Sequence, residues 1–168
     1  MVVCTHSAQN TRILTLAILL AVAAAQGEVP PGSETYSVRA FGAVGDGTTL
    51  DREAVQKAVD ACSAAGGGTV YFPPGTYLSG GIRLKTGVTL WLDAGATIKG
   101  SRFKKDYEPY EELGFENDAD VETTYFHQSL IWAEDAERIG IAGSGTIDSN
   151  FKNRGGPKAI AFKRCRFV

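Results

Sequence analysis

The sequence predicts an all-β solenoid, in which short parallel strands stack coil upon coil. Between Ala65 and Ser101, apolar residues recur in brief alternating runs, and glycine or Pro-Gly separates each run from the next. Strands this short cannot bury a face alone, so they must stack on further copies of themselves. The junctions leave no room for crossover helices, which favours a solenoid. An antiparallel sandwich, which also has strands at regular spacing, stays the alternative.

The strand rhythm extends over most of the chain. The early runs are Val70/Phe72, Ile82/Leu84, Val88/Leu90/Leu92 and Thr97/Ile98, with junctions at Gly66–Gly68, Pro73–Gly75, Gly80–Gly81, Gly87, Gly95 and Gly100. The later runs are Leu130–Ala133, Arg138–Ala142, Gly145–Asp148 and Ala159–Lys163. One solenoid turn takes about 20–30 residues, so Ile160 should correspond to Ile139 or to Ile131.

One helix is predicted before the strands. A first strand, Tyr36–Phe41, and a glycine-rich turn lead to Asp51, which is the expected N-cap. The following residues carry one apolar stripe at helical spacing, formed by Ala54, Val55, Ala58, Val59 and Cys62. A helix over Asp51–Ala65 is well placed to cover the N-terminal end of the stack. An ordinary surface helix beside a sheet would show the same pattern.

The strand rhythm breaks between Arg102 and Gln128. This segment is rich in acidic and aromatic residues and has no clear period, so we predict a long excursion from the solenoid. Such a segment either carries binding function or covers one flank of the stack. Its acidic spacing matches no EF-type calcium loop, and a solvated acidic face is favoured.

The N-terminus has the parts of a secretory signal peptide. Arg12 precedes an apolar run from Ile13 to Ala25 that ends in small residues, and the run is short for a membrane span. We therefore predict a signal peptide over residues 1–25 and a secreted protein, extracellular or periplasmic, without stable membrane association. An uncleaved membrane anchor is the alternative. Residues 26–168 then form the N-terminal coils of one β-helix domain.

The C-terminal residues have the pattern of a β-strand that is cut short. The chain stops at KAIAFKRCRFV with no polar capping segment after it. A solenoid needs a terminal cap, because its last coil otherwise exposes open strand edges. We therefore expect the domain to be incomplete, truncated at Val168.

Composition limits the cofactors and partners. After signal removal only His127, Cys62 and Cys165 could act as soft metal ligands, so a structural zinc site is excluded and no cofactor is expected. Both thiols are predicted to be unpaired and buried. A cationic C-terminal segment, formed by Lys152, Arg154, Lys158, Lys163, Arg164 and Arg166, would attract a polyanion. For an exported chain, which we expect to be a monomer, an anionic polysaccharide is the sensible partner and nucleic acid is not.

Four stretches of the chain carry a family resemblance. The first two are YSVRAFGAVGDGTTLDREAVQKAVDAC and GGGTVYFPPGTYLSGGIRLKTGVTLWLDAGATIKGS, and the next two are LIWAEDAERIGIAGSGTIDS and RGGPKAIAFKRCRFV. Together they resemble bacterial polygalacturonase-like enzymes of glycoside hydrolase family 28. The element Gly143–Asp148 and the later Gly156–Lys158 fall in the family's order. The first half is also similar to the wider pectate-lyase-like superfamily, including rhamnogalacturonases and epimerase-like domains. Ser149-Asn150 departs from the glycine and tryptophan that many members have after Asp148.

The resemblance implies a right-handed, pectin-lyase-like parallel β-helix that cleaves α-1,4-galacturonan by inverting acid-base hydrolysis. An inverting glycosidase needs a protonated carboxyl group and a carboxylate about 6.5–9.5 Å apart. The family's Asn-Thr-Asp, Asp-Asp, Gly-His-Gly and Arg-Ile-Lys motifs are absent from this sequence. We therefore assign no catalytic residue, expect the catalytic groups beyond Val168, and do not promote Glu134, Asp135 or Asp148 to that role. The substrate-binding residues stay unassigned.

Three functions remain open at this point. The first is the N-terminal part of a secreted polygalacturonase-like hydrolase. The second is a polysaccharide lyase or rhamnogalacturonase of the same fold, and the third is a non-catalytic glycan-binding β-helix module. Paired aspartates with Gly-His-Gly would mark the hydrolase, whereas calcium-binding acidic clusters would mark the lyase.

The signal-peptide prediction is tested by the mass of the exported protein. We expect cleavage near Ala25, because small residues occupy the Ala-x-Ala positions that signal peptidase reads. Intact-mass analysis should then find Gln26, or its cyclised form, at the N-terminus. Recovery of residues 1–25 in a membrane fraction would show that the segment is an anchor.

Overall fold

The protein forms a right-handed parallel β-helix. A computed structural model describes residues 34–112, 114, 125–151 and 156–168. Within these residues the strands belong to three sheets, and every strand pairing is parallel. The solenoid prediction is confirmed, and the antiparallel sandwich is wrong. The predicted signal peptide lies outside the described residues.

Each full coil contributes one strand to each sheet. The first sheet contains β1 (Thr35–Ser37), β3 (Gly68–Phe72), β6 (Val88–Leu92) and β9 (Gly140–Gly143). The second contains β2 (Asp46–Leu50), β4 (Gly75–Ser79), β7 (Ala96–Gly100) and β10 (Thr146–Asp148). The third contains β5 (Ile82–Arg83), β8 (Ser129–Glu134) and β11 (Lys158–Lys163).

The core consists of inward side chains that stack in columns from coil to coil. In the third sheet, Ile82 pairs with Ile131, and Ile131 pairs with Ile160. The expected correspondence of Ile131 with Ile160 is therefore confirmed. The other correspondence is wrong, because Ile139 lies just before β9, at the edge of the first sheet. Since the strands are in register, each inward side chain meets the equivalent one in the next coil.

Helix α1 (Arg52–Ala64) covers the N-terminal end of the stack, as predicted. Its apolar stripe, Val55, Ala58, Val59 and Cys62, is fully buried in the common core. The helix also completes the open edge of β5. The Gln56 side chain accepts a hydrogen bond from the backbone N–H of Arg83 at 2.9 Å and donates one to its carbonyl at 3.1 Å. An amide side chain thus takes the place of a neighbouring strand.

Near the helix, one local prediction is wrong and another is right in position only. The first strand ends at Ser37, and residues Val38–Phe41 form a 3₁₀ turn that closes on Gly42, whose φ of 100° suits glycine. Asp51 occupies the N-cap position of α1, as predicted, but its side chain makes no capping hydrogen bond. Its buried carboxylate instead accepts the backbone N–H groups of Val44 at 2.7 Å and Gly45 at 3.0 Å. Asp51 therefore fixes the turn before β2 rather than the helix.

Two strands of the second sheet were missed by the sequence analysis. β2 lies in what was interpreted as a glycine-rich turn, and it shows no buried side chain. β2 is held in the sheet by its parallel pairing with β4. β4 lies between two glycine junctions, where Tyr77 is nonetheless fully buried. Both strands depend on parallel neighbours more than on their own apolar pattern.

The excursion leaves the solenoid after β7 and is anchored at its start. Tyr107 is buried, and its hydroxyl donates a 2.8 Å hydrogen bond to the carbonyl of Ser101. The Ser101 hydroxyl bonds to Asp106, which closes the 3₁₀ turn Lys104–Asp106. A Cβ on Gly80 would lie 1.7 Å from the Asp106 carbonyl oxygen, so only glycine fits there. The described beginning of the excursion is therefore packed tightly against the coil.

Cys62 and Cys165 are both free thiols, as predicted. Cys62 is buried, and burial raises its pKa to about 11. Cys165 is only half-buried, contrary to the expected burial. In the described part of the chain, no helix has the length and apolar character needed to cross a bilayer.

The columns of the core should dominate stability. Leu90 is fully buried and pairs with Val70 and Ile141 in the neighbouring coils. Leu90→Ala should lower the free energy of unfolding by about 2–5 kcal/mol, because it leaves a cavity in a stacked column. Leu50→Ala is the matched control, since Leu50 is 45% exposed. Urea unfolding measures both, and equal losses would contradict the assignment of the core.

Candidate functional site

Several charged and aromatic side chains lie close together on the outer face of the third sheet. Arg83 of β5 lies opposite Trp132 of β8, and Glu134 of β8 lies opposite Lys163 of β11. The carbon at the centre of the Arg83 guanidinium is 5.0 Å from the ring centroid of Trp132. The Lys163 ammonium lies 3.1 Å from the Glu134 carboxylate. The strand register therefore places Arg83 on the ring of Trp132. Two residues further along β8, it places Glu134 beside Lys163.

His127 joins the end of the excursion to this face. Its Nε2 atom lies 2.7 Å from a carboxylate oxygen of Glu134, and its ring lies against Trp132 with the centroids 4.3 Å apart. On the other side, Nδ1 is 3.9 Å from the carboxylate of Glu111. Glu111 also accepts the backbone N–H groups of Phe126 at 2.8 Å and of His127 at 3.2 Å. His127 therefore sits between two carboxylates and an indole ring.

A pocket of about 480 Å³ opens between the excursion and the sheet. It is lined by Arg83, Glu108, Pro109, Tyr110, Glu111, Glu112, His127 and Trp132. This volume lies within the range of about 300–1,000 Å³ that is usual for small-molecule sites. Two of the pocket's carboxylates are already engaged, because Glu108 pairs with Arg52 and Glu111 holds backbone N–H groups.

Arg83 is the pocket's uncommitted cation. Its side chain is exposed and forms no direct ion pair with a described carboxylate, and its longer-range interaction with Asp60 helps to lower the pKa of that carboxyl group. Stacking on Trp132 holds the guanidinium in place without neutralising it. A planar guanidinium in this state can donate paired hydrogen bonds to a carboxylate or to neighbouring hydroxyl groups. The pocket thus suits a ligand rich in oxygen.

The carboxylates near the pocket are poorly suited to act as a general acid. The hydrogen bond with His127, supported by Lys163, lowers the pKa of Glu134. Burial raises the pKa of Glu111, but the N–H groups of Phe126 and His127 outweigh this effect and lower the pKa overall. Glycosidase acids instead have a raised pKa, so that they hold a proton near neutrality. Neither group fits the acid role, and the absence of catalytic residues from this chain stays a prediction.

The other two acids considered in the sequence are separated from the pocket's chemistry. Asp135 is exposed and forms a 2.6 Å ion pair with Arg164, whose hydrogen bond lowers the pKa of Asp135. Asp148 belongs to β10 of the second sheet and accepts a hydrogen bond from the backbone N–H of Asn150 at 2.7 Å. These interactions give both aspartates structural roles.

The described cations of the C-terminal segment each have a partner within the protein. Lys158 donates a 2.6 Å hydrogen bond to the carbonyl of Tyr125 and lies over the ring of Phe126. Lys163 and Arg164 pair with Glu134, and Arg166 lies 3.8 Å from Glu137. Three of these four cations are paired with acids, and attraction of a polyanion by this segment stays a prediction. Lys152 and Arg154 lie outside the described residues.

Sequence reasoning did not find Arg83 and Trp132, and it counted His127 only as an unlikely metal ligand. The three residues are brought together by the pairing of β5 with β8 across the excursion. The sequence signal that could have found them is the alternation in β5 and β8, which places polar or aromatic residues outward. Among the described residues there is no cluster of three potential metal ligands.

The family of the chain follows from a comparison with known proteins. Residues 35–146 match the family model described as rhamnogalacturonase A/epimerase, pectate lyase-like. The chain belongs to this family. The matched residues cover β1 to the start of β10, including both strands that frame the pocket. The resemblance to polygalacturonase-like enzymes is confirmed.

Individual relatives include hydrolases and an epimerase. The chain is 36% identical to the exo-poly-alpha-D-galacturonosidase of Dickeya chrysanthemi over 129 residues, which are 70% of this chain and 20% of that protein. It is 64% identical to the mannuronan C5-epimerase AlgE6 of Azotobacter vinelandii over 42 residues, which are 25% of this chain and 5% of that protein.

A solved structure shares the fold. The family 28 exopolygalacturonase of Yersinia enterocolitica superposes with a TM-score of 0.58 at 36% identity, over 73% of this chain and 22% of that one. The present chain thus spans about a fifth of the length of the galacturonan-directed relatives that it matches.

The link between His127, Glu134 and Lys163 should make stability depend on pH. The pKa of Glu134 is lower in the folded protein, so its contribution is present above the unfolded pKa and is lost as pH falls through the folded pKa. Glu134→Gln should therefore destabilise the protein at about pH 5, and the difference should shrink towards about pH 2. Thermal unfolding across this range measures the effect.

The control for this experiment is Glu53→Gln, because Glu53 is exposed in the first turn of α1. It should change stability little at either pH. A destabilisation by Glu134→Gln that stays constant from about pH 5 to about pH 2 would contradict the role assigned to the carboxylate.

Proposed function

We propose that these coils form the N-terminal part of an exported, polygalacturonase-like glycoside hydrolase that acts on a pectin-type polyuronate. Within this protein, the pocket over the third sheet binds sugar residues of the chain. Family membership and the identity to galacturonan-directed enzymes of Dickeya and Yersinia support the reaction class. The apolar run with small residues before Gln26 supports export.

The observation that carries the proposal is the state of Arg83. The guanidinium is stacked on Trp132, forms no direct ion pair with a described carboxylate, and faces a pocket with further hydrogen-bonding groups. Each sugar of a polyuronate offers hydroxyl groups and one carboxylate. Arg83 would bind the carboxylate, and the pocket's glutamates would accept hydrogen bonds from the hydroxyl groups.

Among the described residues, neither Glu134 nor Glu111 is suited to perform the hydrolytic step. Inverting hydrolysis takes a proton donor at the leaving oxygen and a carboxylate that activates water on the opposite face of the sugar. The lowered pKa of Glu134 and of Glu111 does not suit a proton donor at neutral pH. Neither carboxylate is free to hold a water molecule, because Glu134 is engaged with His127 and Lys163 and Glu111 with backbone N–H groups. The role of these coils in the reaction is therefore to bind and orient the polymer.

A second candidate function acts on the same ligand class. The local identity to a mannuronan C5-epimerase over 42 residues favours a uronate-modifying enzyme that epimerises or eliminates instead of hydrolysing. The Arg83 pocket would serve either reaction, since both act on carboxylated sugars. The hydrolase and the epimerase-like function are therefore distinguished by the polymer that binds and by the bond that the enzyme changes.

The test measures ligand binding and sugar release by the 168-residue chain. We expect trigalacturonate to bind and Arg83→Gln to weaken that binding about tenfold, because a charge-assisted pair of hydrogen bonds is lost. Isothermal titration calorimetry measures both proteins. No reducing sugar should be released from polygalacturonate, since no described carboxylate serves as a general acid.

The control is Lys57→Gln, which removes a charge from the exposed side of α1. It should bind trigalacturonate like the unmodified chain. Equal affinity of Arg83→Gln and Lys57→Gln would reject the pocket, and release of reducing sugar would show that catalytic groups were overlooked. Preference for oligomannuronate over trigalacturonate would favour the epimerase-like function.

A further inference from the structure

An exposed ridge of one aromatic and three basic side chains lies at the start of the excursion. We call it the basic ridge, and it consists of Arg102, Phe103, Lys104 and Lys105, all of which are exposed. Phe103 is 65% exposed, which is unusual for a side chain of its size and apolar character. The Lys105 ammonium lies 5.7 Å from the centroid of the Phe103 ring.

The backbone holds the basic ridge in a fixed position. Phe103 immediately precedes the 3₁₀ turn that Asp106 closes through its bond to Ser101, and the Phe103 N–H donates a 3.2 Å hydrogen bond to the Ser101 hydroxyl. The turn is anchored beneath by buried Tyr107. Ser101 itself donates its backbone N–H to the carbonyl of Ser79 at 2.7 Å. The exposed ring is therefore presented by a packed turn.

The charges of the basic ridge are not balanced by the described part of the protein. Arg102, Lys104 and Lys105 form no ion pair with a described carboxylate, and the nearby Asp106 is bonded to Ser101. Arg102 makes only a long, 3.5 Å contact with the side chain of Asn150. Lys163, Arg164 and Arg166 of the C-terminal segment, by contrast, pair with acids. The ridge is thus a group of neighbouring cations without an ion-pair partner among the described carboxylates.

We propose that the basic ridge is a second binding surface for the polyuronate, separate from the Arg83 pocket. This inference rests on the proposed function, since it takes the ligand class from it. The Phe103 ring offers a flat apolar surface for the C–H face of a sugar, and the cations flank it. A polyuronate carries one carboxylate on every sugar, so a long chain meets several cations at once. The ridge holds the polymer while the pocket binds individual sugars.

The experiment compares long and short ligands on the same variants. Lys104→Gln/Lys105→Gln and Phe103→Ala should each weaken binding to polygalacturonate about fivefold, because they remove charge or the ring surface. Both should bind trigalacturonate like the unmodified chain. Lys57→Glu is the matched control, since it changes the net charge by the same amount as the double lysine variant. Phe103→Trp should restore the affinity lost in Phe103→Ala.

Biolayer interferometry at fixed ionic strength measures polymer binding, and calorimetry measures trigalacturonate. Unchanged polymer affinity in both ridge variants, with Arg83→Gln still weakening trigalacturonate binding, would overturn the ridge alone. Failure of the unmodified chain to bind either ligand would reject the proposed function as well. Ridge-dependent binding to phosphatidylserine vesicles, without ridge-dependent polymer binding, would overturn the ridge proposal in favour of a membrane surface.

Discussion

The in-register pairing of strands from successive coils is the constraint on which the structure depends. Single strands such as β5 are too short to be stable alone, and each is ordered by its parallel neighbours. Inward residues therefore form columns, as Ile82 and Ile131 do. The same register aligns the outward residues. Arg83 can lie on Trp132 only because Ile82 and Ile131 fix the two strands beneath them.

At the N-terminal end of the stack, helix α1 covers the edge of the third sheet. β5 has no strand on its N-terminal side, and α1 occupies that position. Gln56 bonds both the N–H and the carbonyl of Arg83, so the edge cannot readily pair with a strand of another molecule. The same contact fixes the backbone of the residue whose guanidinium faces the pocket. Closure of the edge and placement of the candidate site are thus linked.

Periodicity predicted the features that depend on local sequence, and tertiary contacts decided the rest. The stripe around Val55 and the alternation around Leu90 specify a helix and a strand by themselves, and both were found. β2 has no buried side and exists because β4 lies beside it, so its own residues indicated a turn. Asp51 has an N-cap residue type but binds the turn at Val44. The site was hidden because the excursion separates Arg83 from His127 in sequence.

The excursion between β7 and β8 has a consequence for how such proteins diversify. β7 pairs with β4 and β10, and β8 pairs with β5 and β11, so the coil is held on both sides of the insertion. The length of the inserted segment is therefore free to vary while the strand ladders stay intact. Evolution can replace this segment as a unit, so that the same β-helix acquires different ligand preferences. The same corner is a natural place for a designer to graft a binding loop.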